Sequence, residues 1–289
     1  MGNKYRLSST IYNRDKEKID PKRIIFLSVE GNVTEKEYFI GIATHIREIS
    51  DNAIVKVEVL GRRSKDNKSA PGKVLELLEE CVELRKNGMD TISNEIKSIE
   101  DIFNKYSEKY IEKYLNNEND LANKKEFEKD LHLAEYDLNY RRYLAECGGN
   151  YESDIYAVVI DRDSESNKKV DLIDCINKCK KQEYECFITN PCFEFWLLLH
   201  FSDIKEEYAD KLELIKQNKK ESVKHTYISK ELSDKLGHSK KNINFEKNYL
   251  PNIDKAIEHS KKFECSVEKL VDNIGTNLAD LIEIIKGKS

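Results

Sequence analysis

The sequence predicts an α/β protein with a mostly parallel sheet, helices on both faces, an inserted helical hairpin and a helical C-terminal region. Short β-branched runs alternate with amphipathic segments, which is typical of parallel strands joined by helical crossovers. Residues 91–146 contain neither Gly nor Pro and carry apolar residues at steps of three and four, which indicates helices. With 289 residues, the chain is long enough for one large domain or two smaller ones.

The composition limits the possible classes of protein. Charged residues make up 36% of the chain but the net charge is only −5, which argues against nonspecific coating of duplex nucleic acid and leaves room for a local basic channel. The seven cysteines include no C-x-x-C pair, which favours reduced thiols over a disulfide framework. The N-terminus is polar, and the longest apolar run is too short to span a bilayer. We therefore expect a soluble, cytoplasmic protein without a membrane partner.

The first half divides into three predicted parts. Residues 1–22 form a basic arm that is either a solvated tail or a contact for a polyanion. Residues 23–90 hold strands at 24–29 and 54–60, each followed by a helix. We expect Thr34 to cap the first helix in a capping box with Glu37. Residues 91–147 form the hairpin, which is rich in acids and therefore suits oligomerisation or partner binding better than nucleic acid.

The second half returns to the core at 148–202 and ends in the helical, lysine-rich region 203–289. Strands are predicted at 155–160 and 186–189, with a helix at 168–181 between them. Pro191 is expected at the first position of a helix that runs to 201. Later helices are predicted at 251–263 and 277–286, the second opened by Gly275 and Thr276.

Acidic residues follow two of the predicted strands. Glu30 ends the first strand, and Asp161 and Asp163 end the third, so all three belong to the edge where parallel sheets bind ligands. Along an extended chain, the two aspartates lie on the same side, about 6.5–7 Å apart at their Cα atoms. They form either a Mg²⁺ site or a turn of solvated acids. Glu30, on another strand, is the candidate for proton transfer.

Two further residues adjoin this edge. Glu194 lies in the first turn of the helix that follows Pro191, where it is either a capping acid or a third acidic group at the metal site. His200 is more typical of a packed histidine than of a metal ligand.

Lysines are concentrated between 216 and 241. This stretch is the best candidate for contacts with phosphates, although lysine runs are often solvated helix faces. The residues selected for nucleic-acid binding are Lys219, Lys220, Lys224, Lys240 and Lys241.

Three motifs resemble a known family. Val29-Glu-Gly-Asn-Val-Thr-Glu-Lys-Glu-Tyr-Phe39, Val158-Val-Ile-Asp-Arg-Asp163 and the block beginning Asn190-Pro-Cys-Phe-Glu194 and ending at Phe201 are similar to the RloB-like family of bacterial defence proteins. The Glu-Gly and Asp-x-Asp pairs also resemble the Toprim fold of topoisomerases, primases and OLD-type nucleases.

The resemblance implies a Mg²⁺-dependent nuclease, with Mn²⁺ as a substitute, that acts in phage defence on RNA and preferentially on tRNA. It implies Glu30 as general acid/base, and Asp161, Asp163, Glu30 and Glu165 as metal ligands. Glu194 completes the catalytic set, and Asn190 and His200 belong to the third motif. The rival hypothesis is a catalytically quiet sensor that uses the hairpin to dock a partner such as an ATPase. A homo-oligomer formed through 91–147 is also expected.

Overall fold

The fold is an α/β sheet with helices on both faces, as predicted. The computed structural model describes residues 22–50, 55–61, 70–118, 121–148, 152–163, 168–223, 225–237 and 243–287. The five strands are ordered β2-β1-β3-β4-β5, and all pairs are parallel except β4 with β5. The strands are Arg23–Val29 (β1), Val55–Val59 (β2), Ile155–Asp161 (β3), Glu185–Asn190 (β4) and Gly275–Thr276 (β5).

Sixteen α-helices accompany the described strands. In the first core segment they are Thr34–Thr44 (α1), Ile46–Ile49 (α2) and Pro71–Asn87 (α3). Those of the insertion are Met89–Lys97 (α4), Glu100–Lys105 (α5), Glu108–Leu115 (α6), Lys124–Leu133 (α7) and Leu138–Glu146 (α8). The remaining helices are Lys168–Gln182 (α9), Phe193–Leu199 (α10), Ile204–Glu207 (α11), Leu212–Gln217 (α12), Tyr227–Leu236 (α13), Ile253–Ser260 (α14), Val267–Leu270 (α15) and Leu278–Ile285 (α16).

Each face of the sheet carries its own apolar core, because successive side chains of a strand point to opposite faces. Ile25 and Leu27 of β1 pack in the first core, with residues of α1, α10, α14 and α16. Ile24 and Phe26 pack in the second core, with residues of α3, α9 and the insertion. The β1 and β3 side chains are therefore buried on both faces, which explains why these strands read as continuous apolar runs.

The insertion differs from the predicted two-helix hairpin, because it consists of five short helices. Two side chains cap new helices inside it: Ser107 accepts a hydrogen bond from the N–H of Tyr110, and Asp137 accepts one from the N–H of Tyr140. Such caps favour helix starts and so divide the apolar seam. The seam packs against α3 in the second core, so the insertion is part of the domain and not a projecting arm. Its role in oligomerisation stays a prediction.

Three local predictions were wrong. Helix α1 has Val33 at its N-cap and no side-chain cap, so Thr34 and Glu37 do not form a capping box. Helix α10 begins at Phe193, after a cis peptide bond between Asn190 and Pro191, so the proline precedes the helix. Gly275–Thr276 forms the short strand β5 against β4 instead of opening a helix.

Side-chain hydrogen bonds explain why β5 forms. The Thr189 and Thr276 hydroxyl groups lie 3.1 Å apart. The Asn277 side chain accepts from the N–H of Ile188 at 2.7 Å and donates to the carbonyl of Cys186 at 2.9 Å. Asn277 thus satisfies backbone groups of β4 that a longer neighbouring strand would otherwise bind.

Within the described ranges, no helix combines the length and the apolar character that crossing a membrane requires. The basic arm lies almost wholly outside those ranges, because they begin at residue 22.

Candidate active site

Glu30 and Asp161 meet where β1 and β3 end. Glu30 is buried, with 6% of its surface exposed, and its backbone N–H donates to the carbonyl of Val159 at 3.0 Å. Its carboxylate Oε2 accepts a hydrogen bond from the backbone N–H of Asp161 at 3.1 Å. The parallel register of β1 and β3 therefore orients this glutamate, as expected for side chains at the carboxyl ends of adjacent strands.

Asp161 lies among several other carboxylates. Burial raises the pKa of Asp161 well above its usual value, and the negative charges of Glu35, Glu30 and Glu194 raise it further. A hydrogen bond from the backbone N–H of Phe193 lowers this pKa and so offsets part of the increase. We call Glu30, Glu35, Asp161 and Glu194 the carboxylate cluster. Buried like charges destabilise the ionised state unless a proton or a cation neutralises them.

Glu35 is the member of the cluster that the sequence reasoning missed. It lies in the first turn of α1, and only 9% of its surface is exposed. Its carboxylate lies directly over Gly31, where a Cβ atom would approach Oε2 to 1.7 Å. The signal was present as Glu30-Gly-x-x-x-Glu35, in which glycine leaves room for the second carboxylate. Glu37, which the sequence analysis assigned to a capping box and not to the site, is exposed.

Glu194 reaches the cluster from α10. It lies in the first turn of that helix and is partly buried, and its charge contributes to the raised pKa of Asp161. The N-terminus of α10 faces the cluster as well, because the N–H of Phe193 bonds Asp161. Of the two interpretations of Glu194, the structure favours an acidic group at the site.

Asp163 does not accompany Asp161. Strand β3 ends at Asp161, and Asp163 is exposed and has a left-handed backbone with φ of 30°. Its N–H donates to the carbonyl of Pro191 at 3.0 Å. Asp161 and Asp163 were expected on the same side of an extended chain, but the chain turns after Arg162. Metal binding by Asp163 stays a prediction, and Glu165 lies outside the described residues.

Asn190 and His200 have structural partners. The Asn190 side chain donates to the carbonyl of Leu270 at 2.7 Å. His200 Nδ1 donates to the carbonyl of Trp196 at 3.0 Å, so Nε2 accepts from the hydroxyl of Tyr38 at 3.1 Å. Burial lowers the pKa of His200 to about 3, which keeps the ring neutral. His200 is thus a packed histidine, as the sequence favoured.

The loop 219–226, of which residue 224 is not described, carries exposed lysines. Asn218 has a left-handed backbone with φ of 42°, and its side chain donates to Cys192 Sγ at 3.3 Å. The same side chain accepts from the N–H of Ile228 at 3.0 Å. The base of the loop is therefore tied to the N-cap of α10, two residues before Glu194. Lys219 and Lys220 are exposed on this loop, whereas Lys224, Lys240 and Lys241 lie outside the described residues.

The donor set of the carboxylate cluster suits a hard cation. Carboxylate oxygens are the protein ligands that Mg²⁺ and Mn²⁺ prefer, and a cation would offset the repulsion that raises the pKa of Asp161. In the described parts of the chain, no three His, Cys, Asp or Glu side chains are already arranged to hold one metal ion. The residue types of the cluster therefore fit the ion by their chemistry.

Comparisons with known proteins place the site within one family. A family model described as RloB-like protein matches residues 25–285, a span that contains every member of the carboxylate cluster. The search of curated proteins gave no match, and neither did the search of solved structures.

Proposed function

The chain belongs to the RloB-like family, as its motifs indicated, and on this premise we propose that it is a metal-dependent nuclease. The observation that carries the proposal is the buried carboxylate cluster around Asp161, whose raised pKa marks it as a candidate functional group. The proposed reaction is hydrolysis of phosphodiester bonds in RNA, with tRNA the preferred substrate, as an effector of defence against phage.

The residues of the cluster have distinct proposed roles. Asp161, Glu35 and Glu194 would hold the ion, with Asp163 as a further candidate. When bound, Mg²⁺ would stabilise negative charge on the phosphodiester and lower the pKa of a water molecule. Glu30 would accept or deliver the proton, because the Asp161 N–H holds its carboxylate in a fixed orientation at Oε2.

The substrate backbone would be held beside the cluster by the loop 219–226. Lys219 and Lys220 are exposed there, and Asn218 ties the loop to Cys192 at 3.3 Å. Lysines that contact phosphates supply affinity without reading the sequence of bases. A separate surface must therefore select one RNA over another.

One observation favours the rival proposal of a catalytically quiet sensor subunit. The side chains of the described residues are not already arranged to hold a metal ion. A protein that only binds a ligand would not need such an arrangement. In that case the cluster would bind a ligand, and the insertion would dock a partner such as an ATPase. The two proposals differ in whether the purified chain cuts nucleic acid.

The test is cleavage of total tRNA, single-stranded RNA and plasmid DNA with Mg²⁺, Mn²⁺ or EDTA. Wild type is compared with Glu30→Gln and Asp161→Asn, and with Glu37→Gln as an exposed control on the same helix as Glu35. We expect metal-dependent cutting of RNA that only the two cluster variants lose. Absence of cutting by wild type with every metal and substrate would contradict the nuclease proposal.

Growth of the host is a second test. If the protein is a nuclease, expression of wild type slows growth of the host and expression of Asp161→Asn does not. A sensor that acts only through its partner affects growth equally in both forms when that partner is absent.

A further inference from the structure

Lys36 differs from the other partly buried lysines of the described chain. It lies in the first turn of α1, next to Glu35, and forms no hydrogen bond or ion pair with any described residue. Six other lysines are partly buried, and each has a bonding partner: Lys56 with Glu58, Lys73 with Glu76, Lys97 with Glu108, Lys113 with Glu118, Lys124 with the carbonyl of Glu118, and Lys286 with Asp254.

The acid whose charge acts on Lys36 is already engaged elsewhere. That acid is Glu58 of β2, whose carboxylate lies 3.3 Å from Lys56 Nζ and accepts a hydrogen bond from the Tyr143 hydroxyl at 2.9 Å. An ammonium withdrawn from water without its own counter-ion is destabilising. Such a group is therefore a candidate binding site for an anion that the described residues do not supply.

The position of Lys36 identifies the class of anion. Its neighbour Glu35 belongs to the carboxylate cluster, and its helix α1 packs against β2, the strand at one side of the sheet. The base of the loop 219–226 is tied through Asn218 to Cys192, the N-cap of α10, and α10 follows β4, which lies across β1 and β3 from β2. A polyanion that crosses the cluster would thus meet a positive charge before and after it.

We infer that Lys36 binds a backbone phosphate of the nucleic acid on the β2 side of the carboxylate cluster. The inference rests on the proposed function in one respect, because it takes the substrate to be a phosphodiester. An ammonium is a point charge with three rotatable donors, so the contact holds any phosphate and selects no base. Lys36 and the loop 219–226 together set the path of the strand over the cluster.

The test is binding of a short fluorescein-labelled single-stranded RNA of mixed sequence, measured by anisotropy in EDTA as the salt concentration is raised. Wild type is compared with Lys36→Met, Lys36→Arg and Lys180→Met. Lys180 is an exposed lysine of α9 that pairs with Glu268 at 2.7 Å, so its variant controls for loss of a charge elsewhere.

We expect Lys36→Met to bind about tenfold more weakly, and the slope of log K against log salt to fall by about 0.7, the value for one phosphate of a single strand. Lys36→Arg should retain most of the affinity, and Lys180→Met should match wild type. An unchanged slope in Lys36→Met would overturn the inference.

Thermal unfolding separates this role from a structural one. Because Lys36 has no hydrogen-bond or ion-pair partner among the residues that the structure describes, Lys36→Met should have a melting temperature equal to or above that of wild type. A clearly lower melting temperature would show a structural role and also overturn the inference. RNA binding that depends on Lys36 without any cleavage would support the inference and contradict the nuclease. If wild type cuts RNA and Lys36→Met changes neither cleavage nor binding, the result would support the nuclease and contradict the inference.

Discussion

The carboxylate of Glu30 accepts a hydrogen bond from the backbone N–H of Asp161 at 3.1 Å, although the two residues are 131 positions apart in the chain. This contact joins the end of β1 to the end of β3. The backbone of Asp161 thereby orients the carboxylate of Glu30. Around it, Glu35 and Glu194 complete a cluster of like charges inside the protein. The predictions below follow from the electrostatics and packing of that arrangement.

The metal-free protein should lose stability as the pH rises. The pKa of Asp161 is raised above its value of 3.8 in the unfolded chain, so the folded state favours the protonated form. Its contribution is fully present below that value and is lost as the pH rises through the folded-state pKa. In EDTA, the melting temperature of wild type should fall as the pH is raised above 3.8 towards the folded-state pKa of Asp161.

Asp161→Asn is the control for this pH dependence. Because asparagine does not ionise, the variant should show a flatter profile of melting temperature against pH and should exceed wild type at the upper end. Added Mg²⁺ should stabilise wild type more than the variant, since a ligand that binds only the folded state raises its stability. A pH profile identical to that of wild type would mean that Asp161 is not the titrating group.

Glu35→Gln should abolish most activity, while Glu37→Gln should not. Both residues lie in the first turn of α1, but Glu35 is buried in the cluster and Glu37 is exposed. Loss of one charged group from a preorganised site costs roughly 100- to 1,000-fold in rate. The measurement is kcat on the best substrate of the cleavage panel. Equal activity of the two variants would remove Glu35 from the site.

Gly31→Ala should reduce activity without unfolding the protein. The new Cβ would stand 1.7 Å from Glu35 Oε2, so the carboxylate must leave its position over Gly31. Because the obstacle is the flexible end of a side chain, the change in free energy of unfolding should stay within about 1 kcal/mol. Circular dichroism and thermal unfolding check the fold, and cleavage checks the site. Full activity would show that the position of Glu35 over Gly31 is unimportant.

Asn218→Ala should weaken RNA binding and lower stability by about 1–2 kcal/mol. The variant loses both side-chain hydrogen bonds that tie the loop 219–226 to Cys192 and Ile228. Asn218→Gly loses the same bonds but accommodates the left-handed backbone, so comparison of the two variants separates the tether from backbone strain. Chemical denaturation and RNA anisotropy are the measurements. Unchanged RNA affinity in both variants would show that the loop does not contact the substrate.

The sequence predicted the strands better than the environment of each acid. Buried β-branched runs identified β1, β3 and β4, and the edge rule correctly brought Glu30 to Asp161. Glu35 was missed because helical spacing does not show where a side chain in a first turn points. Asp163 was expected beside Asp161 because an extended chain was assumed, whereas the backbone turns as soon as β3 ends.

The insertion shows a second limit of periodicity. Steps of three and four identified Ile92, Ile96 and Phe127, which are buried, but also Phe103, which is exposed. The same pattern suits two helices packed on each other and several helices packed on a core. The caps at Ser107 and Asp137, which divide the seam, were visible in the sequence but were not weighed against it.

The order in which the chain is synthesised gives the Glu30–Asp161 contact a further consequence. The ribosome makes Glu30 and Glu35 early, but β1 has no parallel neighbour on the β3 side until the whole insertion has been translated. Pairing of strands so distant in the chain is slow and follows the folding of local helices. A chain that stops before Glu194 lacks one of the four acids, so no form truncated before that residue holds the complete cluster. The proposed activity would therefore appear only after Glu194 has been translated.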